Sequence, residues 1–146
     1  MKKNILVSAC LLGESCRYDG KSKPCERVIA LKNTYNLIPI CPEVMGGLPT
    51  PRVPSEICGE RVLMKDGRDV TENYNRGAEI ALSIARENAC TVAILKEKSP
   101  SCGSGLIHNG HFDGGLVAGD GVTTALLKGA GIRVLGESEI TEDFAL

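Results

Sequence analysis

Apolar residues gather in four short runs along the chain, Asn4–Ser8, Asn36–Ile40, Thr91–Leu95 and Ile132–Leu135. Each is apolar nearly throughout instead of alternating with polar positions, as strands covered on both faces are. Between these runs the spacing becomes helical. Pro24, Cys25 and Glu26 open a short helix to about Lys32, with proline in the first turn, where its missing N–H is tolerated. Thr71 and Glu72 start the clearest helix, to about Asn88, with Tyr74, Ala78, Ala81, Leu82 and Ala85 at helical spacing. Val122–Lys128 makes a third, ending at Gly129 or Gly131. Strands alternating with helices predict a mostly parallel four-stranded sheet, Rossmann-like or flavodoxin-like, with helices on both faces. Two insertions read as small hairpins, "RVLMKDGRDV" around Asp66-Gly67 and "LIHNGHFDG" around Asn109-Gly110. No internal repeat, linker or low-complexity tract appears, so residues 1–146 are expected to form one α/β domain.

Composition narrows the function classes. The formal net charge of −1 supplies no positive field to recruit nucleic acid or an acidic membrane surface. Three tyrosines, two phenylalanines and no tryptophan leave few platforms on which unpaired bases could stack. The start "MKKNILVSAC" resembles a lipoprotein signal, but Ile5-Leu6-Val7 is far shorter than the roughly 7–15 residues an apolar signal core needs. Seven cysteines, at 10, 16, 25, 41, 58, 90 and 102, change the picture most. An odd number, in a chain large enough to fold by its core, fits free thiols in a reducing compartment better than a disulfide framework. A cytoplasmic protein, some of whose thiols bind metal, is the expectation.

The placement of the thiols sharpens this. In an open parallel sheet, ligands bind at the carboxyl ends of the strands. Cys10 follows the first run, Cys41 the second, and Cys102, in "KEKSPSCGSG", lies a few residues past the third. One such cysteine would be read as a small buried hydrophobe; three at equivalent positions point to a shared site. Cys25, Cys58 and Cys90 show no such placement and read as packing residues, while Cys16, in "CLLGESCRYDG", is a ligand, a supporting thiol or a spare. Soft sulfur ligands select zinc, copper(I) or iron–sulfur clusters. No C-x₂₋₄-C pair suggests structural zinc, and His108 and His111 fall in the expected Asn-Gly hairpin, facing solvent. An iron–sulfur cluster accepts well-separated ligands and normally takes four; three would leave one iron open for substrate chemistry. Glu43 stands two residues after Cys41, as a candidate base or as a partner for Arg52. Ser101 directly precedes Cys102, and "GDGVTTALL" offers helix-start N–H groups to an anion or carbonyl.

Taken together, "SACLLGESCRYDG", "CPEVMGGLPTPR", "GRDVTENYNRGAE", "AILKEKSPSCGSGLI" and "GDGVTTALLKGAGI" resemble the TudS-like thiouracil desulfurase family, in order and over essentially the whole chain. The resemblance implies an α/β domain with a 4Fe–4S cluster on Cys10, Cys41 and Cys102, one iron being open. It implies Glu43 and Ser101 as catalytic residues in a non-redox, hydrolytic removal of sulfur from thiolated uracil or 4-thiouridine. The near-neutral charge favours a free base or nucleoside over thiolated tRNA as the partner, and no membrane partner is expected. Two rival classes remain: a thiol redox sensor using Cys10 and Cys16, and a structural metal module with Cys16 as fourth ligand.

Overall fold

The computed structural model describes residues 2–146. Its central sheet has the order β2-β1-β5-β8, all parallel, from β1 (Asn4–Ser8), β2 (Asn36–Ile40), β5 (Val92–Leu95) and β8 (Arg133–Gly136). These are the four expected runs, with the last two shifted by one residue. Proline within a strand is tolerated at a sheet edge, where no ladder donor is needed on the outer side. Pro39 accordingly lies in β2, the edge strand, beside Val7.

Adjacent residues of each strand enter different layers because successive side chains point to opposite faces. Leu6, Ala93, Leu95 and Val134 pack with Ala81 and Ala85 of α3 (Thr71–Glu87) and Leu127 of α4 (Val122–Gly129). Ile5, Val7, Ile94 and Leu135 pack on the other face, with Val28 of α1 (Glu26–Ala30), Tyr35 and Ile140. Full burial of a side chain such as Ile94 or Leu6 contributes roughly 1.5–3 kcal/mol. Helices on both faces are therefore what make the strands apolar throughout. The first helix is shorter than its sequence suggests: Cys25 is its N-cap, and a 3-10 turn at Leu31–Asn33 follows it.

The insertions differ from expectation in their turns. β3 (Ser55–Cys58) pairs antiparallel with β4 (Arg61–Met64), so that hairpin turns at Gly59, not at Asp66-Gly67. The Asp66-Gly67 turn exists, but it leads only to a single Leu63–Asp69 bridge before α3. β6 (Leu106–His108) and β7 (Leu116–Ala118) do pair, through residues 109–115 instead of a two-residue Asn-Gly turn. The Cys-Pro-Glu segment forms a one-turn helix α2 (Pro42–Met45), started by proline at a position where its missing N–H is harmless.

Two glycines seat α2 directly on α3. A methyl group at Gly77 would strike the Pro42 carbonyl, and one at Gly46 would strike the Asn73 carbonyl. Asn73 Nδ2 donates to the Gly46 carbonyl at 2.8 Å. Because those atoms are backbone, relief requires moving the helices apart. Gly77→Ala is therefore expected to lower unfolding free energy by about 1–3 kcal/mol in urea titrations. Gly129→Ala, with open space around the same kind of change, is expected to be neutral or slightly stabilising.

Candidate metal centre

The chain reverses its direction of travel across the sheet between β1 and β5: it first steps out to β2, then returns past β1. Crevices at such a switch, beyond the carboxyl ends of the strands, are the usual ligand sites of open α/β sheets. A cavity of about 420 Å³ lies there, and Cys10, Cys16, Cys41, Cys102, Glu43 and Arg52 all line it. Cys10 stands in the 3-10 turn Ala9–Leu12 after β1, and Cys41 caps α2 directly after β2. Cys25, Cys58 and Cys90 lie elsewhere: Cys90 in the core beneath α3, Cys25 against the opposite layer, and Cys58 in β3.

All seven cysteines are free thiols. Cys16 stands beside Cys10 and Cys41 on the cavity wall, and the Cys41 thiol donates to the Cys16 carbonyl at 3.7 Å. The Cys10 contact, reinforced by burial and opposed by Cys41, raises the Cys16 pKa to about 11. Cys41 is pushed up by its contact with Cys16 and by burial. Burial pushes Cys102 up to about 12, against opposing hydrogen bonds from Ser8 and Ser101. Reactive cysteines have lowered pKa values, so these shifts do not describe an exposed redox sensor. No three His, Cys, Asp or Glu side chains among the described residues converge on a point for a single ion. A cluster differs, because each cysteine binds its own iron.

Cys102 sits in a densely bonded turn. Its N–H donates to Ser99 Oγ at 2.6 Å, and its carbonyl accepts from Thr124 Oγ1 at 2.8 Å. The start of α4 grips the same turn: Val122 N–H donates to the Pro100 carbonyl, and the Thr123 and Thr124 N–H groups to that of Ser101. The helix-start donors expected to meet a ligand are thus occupied by this loop. A methyl on Gly121 would collide with the Ser101 backbone, so the helix can approach only with glycine there. Ser101 is fully buried, with its hydroxyl 2.7 Å from that of Thr123. It lies behind the Cys102 ligand candidate, outside the cavity lining.

Glu43 faces both of its expected environments. Its Oε1 accepts from Tyr74 Oη at 2.6 Å and from Arg52 Nε at 3.4 Å, while Oε2 takes part in neither bond. The Arg52 side chain is only 2% exposed and also donates to the Cys16 and Pro49 carbonyls and to Thr50 Oγ1. Burial and the adjacent Glu43 charge push the Tyr74 hydroxyl pKa up, so it remains a neutral donor. The sequence presents Tyr74 merely as an apolar helical position; the signal for more is that a buried tyrosine hydroxyl needs a polar partner. His108 also departs from expectation: it is half-buried and lines the cavity, whereas His111 is exposed.

The fold and cavity together define an α/β protein that gathers cysteines and carboxylates at the switch of a parallel sheet. The 2-thiouracil desulfurase family model matches residues 5–139, and the chain belongs to that family. It is 45% identical to the uncharacterized protein YbbK of Bacillus subtilis (strain 168), over 94% of this chain and 98% of that one. A solved structure of the [4Fe-4S]-dependent thiouracil desulfidase TudS superposes with a TM-score of 0.90 at 50% identity, covering 95% of this chain and 93% of that one.

The grip on the Cys102 turn can be tested without any ligand. Thr124→Val keeps the side-chain shape but strands the buried Cys102 carbonyl. It is expected to cost about 1–3 kcal/mol of stability, read as a lower urea midpoint with unchanged slope.

Proposed function

We propose that this protein removes sulfur hydrolytically from a thiolated pyrimidine, using a 4Fe–4S cluster held by Cys10, Cys41 and Cys102. The observation that carries this reading is that the thiols after β1, β2 and β5 line one cavity together with Glu43. The donor set fits the group: soft sulfur, buried, and spread around a space instead of focused on one point. When bound, such a cluster with one iron free of protein ligands supplies a Lewis acid for a thiocarbonyl sulfur.

The chain's own residues supply the rest. Tyr74 and Arg52 fix Glu43 through Oε1, leaving Oε2 to take a proton from water. That water attacks the ring carbon, the carbon–sulfur bond breaks, and sulfur leaves as hydrosulfide. One water is consumed, a carbonyl replaces the thiocarbonyl, and no electrons are exchanged. Ser101 serves this chemistry from behind Cys102, where the Thr123 hydroxyl holds its own. The cavity volume falls in the range of small-molecule pockets. With a net charge of −1, this favours a free base or nucleoside over tRNA. Among the described residues no helix is long and apolar enough to cross a membrane; seven free thiols support a reducing, cytoplasmic setting.

A structural metal module is the second reading, favoured by Cys16 lining the same cavity as Cys10 and Cys41, with its carbonyl accepting from the Cys41 thiol. Serine substitutions separate the two. Anaerobically reconstituted wild type is expected to hold about four irons and four acid-labile sulfides. Cys10→Ser, Cys41→Ser and Cys102→Ser should each lose them, while the same change at 25, 58 or 90 should not. Cys16→Ser retains the cluster if one iron is open; its loss there would mean a fourth protein ligand or a different ligand set.

Catalysis has its own test. Glu43→Gln should keep iron content and cluster spectrum while sulfide release from 2-thiouracil falls by roughly 10²–10⁴-fold. In labelled water the product oxygen should come from solvent, with no external electron donor consumed. Full activity of the variant, or an obligatory reductant, would remove Glu43 or the hydrolytic route. Ser101→Ala is expected to act more mildly.

A further inference from the structure

Part of the cavity wall is built by β6 and the 109–115 connection, and it brings no thiol or carboxylate to the lining. Its backbone is firmly held. The buried Glu56 carboxylate accepts from Gly110 N–H at 2.9 Å and Phe112 N–H at 3.2 Å, both on Oε1. Gly110 lies so close to β3 that a Cβ would stand 2.7 Å from the Ile57 carbonyl. Asn109 Nδ2 and Gly115 N–H both donate to Asp113 Oδ1, closing the loop on itself. A bridge between Lys98 and Ile107 ties β6 to the chain leaving β5.

Three features of this wall concern a ligand. His108 Nδ1 is buried without a hydrogen-bond partner, alone in this among the side-chain nitrogens and oxygens of the described residues. Native structures pair such atoms, so the unpaired Nδ1 of a residue that lines the cavity marks a place where a turn of the ring lets an incoming group complete the bonding. Phe112 and Lys98 hold φ angles of +55° and +71°, a conformation costly for residues with side chains, and both line the cavity. Strain of that kind persists where the surrounding structure over-determines it. Phe112 and Tyr18 also bring two of the chain's five aromatic rings to this one cavity. Aromatic faces stack on planar heterocycles.

We propose that His108 and Phe112 form the subsite for the pyrimidine ring itself. His108 hydrogen-bonds a ring N–H or exocyclic oxygen, and Phe112 lies against the ring face. Selection of a planar thiolated heterocycle over an open-chain thiocarbonyl compound such as thiourea then comes from this wall, while the thiols and Glu43 serve the sulfur and the water. This rests on the desulfurase reading above. Both residues are positioning groups, so their loss weakens binding more than turnover.

The test compares wild type with His108→Ala, His108→Gln and Phe112→Leu, all reconstituted anaerobically and matched for iron. Uracil binding is measured by calorimetry, and sulfide release is measured from 2-thiouracil and from thiourea. Uracil Kd and 2-thiouracil KM are expected to rise roughly tenfold in His108→Ala, with kcat within about threefold of wild type. His108→Gln, which keeps an amide donor and acceptor, should recover most of that loss, and Phe112→Leu should weaken both constants. Activity on thiourea should be low in wild type and insensitive to all three changes. Unaltered uracil affinity in His108→Ala, or an equal loss on thiourea, overturns the subsite. If His108→Ala does not fold, unchanged uracil binding in Phe112→Leu overturns it. A wild type that binds uracil through His108 but releases no sulfide from 2-thiouracil would sink the desulfurase reading and leave the subsite standing.

Discussion

Parallel strands joined by crossovers must all end at the same edge of their sheet, because each connection carries the chain back to the starting side. Every chemically distinctive feature of this protein depends on that constraint. Cys10, Cys41 and Cys102 are far apart in sequence, yet each follows a strand of one four-stranded sheet and so reaches one cavity. Glu43 arrives with Cys41 because both belong to the short helix that starts where β2 stops. The strand order adds the second condition. Since β1 lies between β2 and β5, the loops after β1 and β5 diverge and leave a crevice between them.

An edge made of loops would be too loose for chemistry without further support. Here the support is close backbone packing. Gly46 and Gly77 let α2 lie on α3, fixing Cys41 and Glu43; Gly121 lets α4 lie on the Cys102 turn. Polar groups lock what the glycines admit. Arg52 joins Glu43 to the carbonyls of Cys16 and Pro49, and Thr123 and Thr124 hold Ser101 and Cys102. Burial of the thiols opposes their ionisation, so a metal bound by them would have to displace their protons.

Much of the framework was legible in order. The four apolar runs, the helices of residues 71–88 and 122–128, and the succession of strand and helix sufficed for the sheet. Turn chemistry was less legible. Asp66-Gly67 makes a turn and Asn109-Gly110 opens a longer connection, but strand pairing depends on what else lies alongside, so β3 pairs with β4 around Gly59 instead. The helix-start N–H groups of α4 could not be assigned from sequence either. Whether such donors meet a ligand or a neighbouring carbonyl depends on which loop packs there, and here it is Pro100 and Ser101.

The sequence by itself determined which residues carry soft-ligand and acid–base chemistry and after which strands they fall, because periodicity and chain order are local properties. Tertiary structure decided which groups share that space. It joined Tyr74 from α3 to Glu43 and set Cys16 against Cys41 in the same cavity. It also put Ser101 behind Cys102 with Thr123, and turned His108 from an expected solvent-facing hairpin position to the cavity wall. These are contacts between segments distant along the chain. Their partners are chosen by how helices and hairpins pack on the sheet, and a side chain's own spacing carries no record of that packing.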